Sequence, residues 1–79
     1  MSAELIEEIK AAILEAIPDA LVHVAGGGGH YTIEVTSPVF AGKRMLAKHR
    51  IVMSAIAELM KGDNAPLHAV DSLVCNVPE

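Results

Sequence analysis

The sequence predicts an α+β fold in which a three-stranded mixed sheet carries helices on one face. Residues 3–16 repeat apolar side chains at helical spacing, and so do residues 43–61. Residues 30–37 instead alternate apolar and polar side chains, as a strand with one buried face does. The predicted order of elements is αββ(α)αβ, and a length of 79 residues predicts a single domain over residues 1–79.

The first half of the chain predicts one helix and a β-hairpin. Pro18 ends the helix, because the residue before a proline is pushed out of the α region. Residues 20–25 predict a short strand and residues 30–37 the second strand. The four glycines at 26–29 open a strand, not a helix, and have no lysine beside them, which argues against a phosphate-binding loop. They predict a hairpin with a loose, flexible loop.

The second half predicts a turn, a long helix and a third strand. Ser37 followed by Pro38 is typical of an N-cap with proline at the first helical position, and it begins a single helical turn that Gly42 ends. The helix at 43–61 is expected to stop at Gly62, and residues 67–75 predict the third strand. The apolar stripe of this helix comprises Met45, Val52, Ile56 and Leu59, flanked by Met53 and Met60.

Two histidines are expected at one edge of the sheet. A helical crossover joins the second and third strands, so these strands should pair in parallel and begin at the same end. His30 opens one of them and His68 opens the other. Two imidazoles supply half of a tetrahedral metal site, which favours a site shared with a partner. The alternative, two exposed histidines without a ligand, stays open.

The positions of the other two histidines in the sequence favour packing or exposure over binding a metal. His49 lies within the apolar stripe and is expected to be packed and hydrogen-bonded. His23 lies between two valines of the first strand and is expected on the open face of the sheet, with a place beside His30 as the alternative.

The charge distribution leaves a basic segment inside an acidic protein. The net charge is −4, which argues against nucleic acid as the main partner. The start of the long helix nevertheless concentrates Lys43, Arg44, Lys48 and Arg50. Cations are unfavourable at a helix N-terminus, so these side chains suit a phosphate backbone or an acidic protein surface. A merely solvated face is the alternative.

Composition excludes several classes of protein. The single cysteine, Cys75, excludes an internal disulfide and a cysteine-only metal site, and it favours a cytoplasmic setting. No apolar segment reaches the length of a membrane span. No nucleophile, base and acid set for an enzyme is evident, so a binding module is expected.

An ordered set of motifs resembles the BolA family, and the short glycine loop before His30 resembles its IbaG branch. That family carries a serine, a phenylalanine and glycine pair, an Arg-His-Arg before an apolar helix, and a late His-Ala before a strand and a proline. The matching residues here are Ser37, Phe40 with Gly42, Lys48-His49-Arg50, His68-Ala69 and Pro78. The resemblance covers nearly the whole chain, but the sequence has Lys-His-Arg and a glycine loop without cysteine.

The resemblance implies both a fold and a partner. The fold would be like that of class II KH domains. The partner would be a monothiol glutaredoxin of the CGFS type, with which a [2Fe-2S] cluster is shared in a heterodimer. The glutaredoxin cysteine and glutathione would ligate one side, and His68 and His30 the other. This implies a role in iron-sulfur cluster trafficking or iron regulation.

A second hypothesis from the same resemblance is a DNA-binding transcription regulator, connected with stress response or morphology. It would use the helix-turn-helix-like segment with Lys43, Arg44, Lys48 and Arg50. The free chain is expected to be a monomer under either hypothesis.

Overall fold

A computed structural model shows the predicted order of elements. It describes residues 2–61 and 67–78. The elements are α1 (Ser2–Ala16), β1 (Leu21–Gly27), β2 (His30–Thr36), a 3-10 turn (Pro38–Phe40), α2 (Met45–Ala55), a second 3-10 turn (Ala57–Met60) and β3 (Ala69–Asn76). No helix in this part of the chain has the length and apolar character needed to cross a membrane.

The three strands form one mixed sheet in the order β1-β2-β3. β1 and β2 pair antiparallel, with Gly27 opposite His30 at the turn. β2 and β3 pair in parallel, which confirms the prediction from the helical crossover, and His30 lies opposite Ala69. The register shifts once, between Tyr31 and Thr32. The start of β2 and the start of β3 therefore share one end of the sheet, here called the hairpin end.

The core lies between the helices and one face of the sheet. Alternate residues of β2 are buried and the residues between them are exposed, as the alternation in the sequence predicts. α1 buries one residue per turn against this face. The buried apolar side chains are Leu5, Ile9, Ile13, Ile17, Tyr31, Ile33, Val35, Phe40, Val52, Ile56 and Leu67.

Ser37 fixes the exit from β2 as predicted. Its side chain is fully buried and accepts a hydrogen bond from the Val39 amide at 3.2 Å, so it is the N-cap of the first 3-10 turn. Its hydroxyl also donates to Asp19 Oδ1 at 3.1 Å. The turn carries Phe40 into the core, and Gly42, at φ +74°, ends it.

The prediction of a continuous helix over 43–61 was wrong at both ends. Lys43 and Arg44 precede α2, and Arg44 has an extended backbone at the N-cap. Ile56 leaves the helical region at φ −106°, and the chain continues as a 3-10 turn. This tighter turn leaves the Leu59 carbonyl free to accept from the Leu67 amide at 3.2 Å, which brings the chain back towards the sheet. The predicted end at Gly62 lies outside the described residues.

Two further predictions about local structure were wrong. Met45 was placed in the buried stripe, but it is 71% exposed because the first turn of α2 projects beyond the core. The glycine loop was expected to be loose, but Gly26 and Gly27 belong to β1 and only two residues form the turn. Gly28 and Gly29 have φ of +64° and +84°, the positive pair that a tight two-residue hairpin needs.

Candidate functional site

His30 stands at the hairpin end of the sheet, as predicted. It is the first residue of β2 and lies between Gly27 of β1 and Ala69 of β3. Because Tyr31 is buried against the helices, alternation places the His30 side chain on the opposite, open face. Its side chain is 61% exposed.

His68 lies beside the same turn, just before β3. The predicted strand over 67–75 begins later, at Ala69, so His68 precedes the strand instead of opening it. The amides of His68 and Ala69 both donate to the Gly29 carbonyl at 2.9 Å. The His68 imidazole lies over the Gly29 Cα: a methyl group built on Gly29 would overlap its Cδ2 atom. Gly29 is buried, while His68 itself is exposed.

The structure therefore brings the two predicted ligands together at Gly29. His30 follows Gly29 in the chain, and His68 is bonded to its carbonyl and packed on its backbone. Both histidines are exposed. The arrangement can present two imidazoles to a ligand that arrives from outside the domain.

Asp71 is a member of this site that the sequence analysis missed. His30 Nδ1 lies 3.3 Å from Asp71 Oδ1, and the carboxylate is 57% exposed. Tyr31 pairs with Val70 but Thr32 pairs with Ser72, so the shift in register leaves Asp71 as the extra residue of β3. Asp71 lies two residues beyond the partner of His30, a diagonal neighbour that the predicted parallel pairing could have identified.

The described residues contain no group of three or more His, Cys, Asp or Glu side chains able to hold a metal ion. His30 and Asp71 form one pair, and His68 adds a second imidazole near the same turn. Any metal centre here would therefore need ligands from elsewhere.

The remaining histidines lie away from the hairpin end. His23 is exposed on the open face opposite Glu34, four residues along β1 from Gly27, so it is not a third member of the His30 edge. His49 is half-buried and lines a shallow cavity together with Leu73 and Cys75. The expected hydrogen bond of its side chain is not found among the described residues.

Cys75 lies at the opposite end of β3. It pairs with Val35, near the end of β2. Burial raises the pKa of the Cys75 thiol above its ordinary value, and the positive charge of Lys48 lowers it in part. A half-buried thiol with a raised pKa is a poor metal ligand, because ligation needs the thiolate.

The basic residues also lie at this opposite end. Lys43, Arg44 and Arg50 are exposed, and Lys48 is half-buried near Cys75. An open groove, lined with apolar atoms from Leu46, Ala47 and Ile51, runs between the exposed cations. Within residues 2–61 and 67–78, no carboxylate forms a salt bridge with any of the four; the ion pairs there are Lys10–Glu7, Lys61–Glu58 and His30–Asp71.

Comparison with known proteins agrees with this architecture. The model of the family described as BolA-like protein matches residues 5–78. Protein BOLA2 of Arabidopsis thaliana is 32% identical over 77 residues, covering 92% of this chain and 78% of the relative. A BolA homologue from Coxiella burnetii has a TM-score of 0.75 at 32% identity, covering 91% of this chain and 88% of the other. Yeast Fra2 has a TM-score of 0.63 at 29% identity, covering 98% and 78%. The chain belongs to the BolA-like family.

Proposed function

We propose that this protein is a non-enzymatic adaptor that pairs with a monothiol glutaredoxin of the CGFS type and shares a [2Fe-2S] cluster with it through His30 and His68. The observation that carries the proposal is the pair of exposed histidines beside the Gly29 backbone. The role would be in iron-sulfur cluster trafficking or iron regulation.

The donor set fits one half of such a cluster. Clusters of this type have four ligands, and two imidazoles on one iron with two thiolates on the other is a known combination. His30 and His68 would supply the imidazoles, and the glutaredoxin cysteine with a glutathione thiolate would supply the other half. The described residues contain no group of three or more side chains able to hold a metal ion, so the remaining ligands would come from the partner.

The exposed turn at the hairpin end supports the proposal of a partner there. Among the described residues, no atom lies within 4 Å of the position that a Cβ on Gly28 would occupy. His30 and His68 are both exposed beside this turn, so a partner surface could reach them. A bound cluster would supply electron-transfer and iron-transfer chemistry, and the two histidines would hold it through their imidazoles.

The proposal can be tested by visible circular dichroism of a cluster-loaded CGFS glutaredoxin mixed with this protein. The wild-type chain should change the spectrum, because histidine ligation alters the electronic surroundings of the iron. His68→Ala should remove most of that change. His23→Ala is the matched control, because His23 is also exposed on the sheet but lies away from the hairpin end.

Two results would contradict the proposal. One is a glutaredoxin spectrum that the wild-type chain leaves unaltered. The other is a spectrum that His68→Ala leaves the same as wild type, since the ligand assignment would then be wrong. An equal loss in His23→Ala would also count against it, because it would indicate a general effect of removing a histidine.

DNA binding is the second candidate function, and the unpaired basic groups favour it. Lys43, Arg44 and Arg50 are exposed and have no carboxylate partner among the described residues. Cations beside the N-terminus of α2 do not stabilise that helix. Their positive charges suit a phosphate backbone, and binding to a duplex would weaken steeply as salt rises.

A further inference from the structure

We infer that Asp71 is a positioning residue: its carboxylate holds His30 in the tautomer protonated on Nδ1, which leaves Nε2 as the ligand atom. The part of this inference that concerns ligation rests on the proposed function. The part that concerns the tautomer is a property of the free chain and is measured without any metal.

The chemistry of the contact determines which nitrogen carries the proton. An ionised carboxylate has acceptor oxygens and no proton to donate. In neutral His30, the nitrogen that faces Asp71 Oδ1 at 3.3 Å must therefore be the donor. Nδ1 then carries the hydrogen and Nε2 carries the free lone pair. Metal-bound histidines commonly have such a carboxylate on the other ring nitrogen, which fixes both tautomer and ring orientation.

The fold places Asp71 for this contact. The shift in register makes Asp71 the extra residue of β3, two positions beyond Ala69, the partner of His30. Glu34, an exposed acid of β2, lies four residues further along the strand from His30 and accepts a hydrogen bond from Asn76 at 2.9 Å. Asp71 is thus the carboxylate that His30 contacts among the described residues.

The contact is suited to orienting a side chain rather than to stabilising the fold. Both partners are more than half exposed, and exposed ion pairs contribute little to stability. A weak bias is nevertheless enough to select between two tautomers of similar free energy. His68 is held differently, by packing on the Gly29 backbone, so the two histidines are oriented independently.

The tautomer is read directly from the ¹⁵N shifts of the His30 ring at about pH 8, where an ordinary imidazole is neutral. Wild-type protein should show His30 mainly protonated on Nδ1. Asp71→Ala should return it to the Nε2-protonated form that free imidazole side chains prefer. Glu34→Ala is the matched control: it removes another exposed carboxylate from the same sheet face, and His30 should keep its wild-type shifts.

Three results would overturn the inference: a wild-type His30 protonated mainly on Nε2, an Asp71→Ala protein with wild-type shifts, or a Glu34→Ala protein that shifts as much as Asp71→Ala. Native spectra of the remaining residues would show that each variant is folded.

A second measurement separates this inference from the proposed function. In the cluster-loaded complex with glutaredoxin, Asp71→Ala should lose iron to a chelator roughly tenfold faster than wild type, the usual effect of removing an outer partner of a ligand. Glu34→Ala should lose it at the wild-type rate. If even the wild-type chain takes up no cluster, the proposed function fails while the tautomer result stands. If the cluster binds and Asp71→Ala does not change the rate, the positioning role fails.

Discussion

The four consecutive glycines are not equivalent at the scale of single residues. Gly28 and Gly29 both have positive φ, so both favour glycine for conformational reasons. Of these two, Gly29 alone is covered by a described side chain, the imidazole of His68. The glycine at this position therefore has a second role, which is to let a proposed ligand rest on the backbone.

This difference predicts that two similar substitutions lower stability equally but affect the site differently. Gly28→Ala and Gly29→Ala should each lose about 1–2 kcal/mol of stability, the cost of a side chain in the left-handed region. Only Gly29→Ala should displace the His68 ring and weaken the spectral change with loaded glutaredoxin. Urea unfolding gives the first quantity and circular dichroism of the mixture the second. Equal cluster spectra for the two variants would show that the packing of His68 on Gly29 has no role in the site.

The sequence predicted which histidines would meet but not how each is held. Parallel pairing of β2 and β3 follows from a helical crossover, and it was enough to place His30 and His68 at one end and Cys75 at the other. Regular parallel pairing already makes Asp71 a diagonal neighbour of His30, but hydrophobic alternation does not show that β3 gains an extra residue there. The packing of His68 on Gly29 depends on the turn, which the glycines alone did not define.

At the scale of elements, the predictions failed where an α-helix and another local structure give the same apolar spacing in the sequence. An α-helix and a following 3-10 turn bury side chains at similar spacing, so the period did not reveal the break at Ile56. Met45 fits the apolar stripe of a helical wheel, yet the wheel does not say how far the sheet extends beneath the helix. The cap at Ser37 was more reliable, because its side chain acts through a local hydrogen bond and Pro38 through its fixed φ.

Ser37 is accordingly the residue that we expect to matter most for joining β2 to the helical turn. Ser37→Ala removes the acceptor for the Val39 amide and the donor to Asp19. The loss should be about 1–2 kcal/mol, since a cap and a buried hydrogen bond disappear together. Ser72→Ala, an exposed serine in β3, should change stability by less than about 0.5 kcal/mol. Equal urea midpoints for the two variants would contradict this role of the cap.

The whole molecule separates its two candidate surfaces along the strands. β2 runs from His30 at the hairpin end to Thr36, about 20 Å away at the usual rise of a strand. Met45 and Lys48, in the first turn of α2, lie near Cys75 at that far end. The histidines and the start of the basic segment therefore lie at opposite ends of the sheet, in a sequence of only 79 residues.

This separation predicts that the two candidate functions respond to different mutations. Replacing Lys43 and Arg44 together with glutamine should leave the spectrum of the glutaredoxin mixture unchanged. Any affinity for a DNA duplex at low salt should fall, with a salt dependence smaller by about two phosphate contacts. Replacing His30 and His68 with alanine should remove the spectral change and leave the affinity for the duplex unaltered. The four changes combined should give the sum of both effects, because distant sites act additively. Titration of a labelled duplex at several salt concentrations measures DNA affinity, and circular dichroism of the glutaredoxin mixture measures cluster ligation.

A basic-segment variant that abolishes the cluster spectrum would contradict the separation and would place the glutaredoxin contact at the far end as well. A wild-type protein that binds no duplex even at low salt would exclude the DNA-binding alternative.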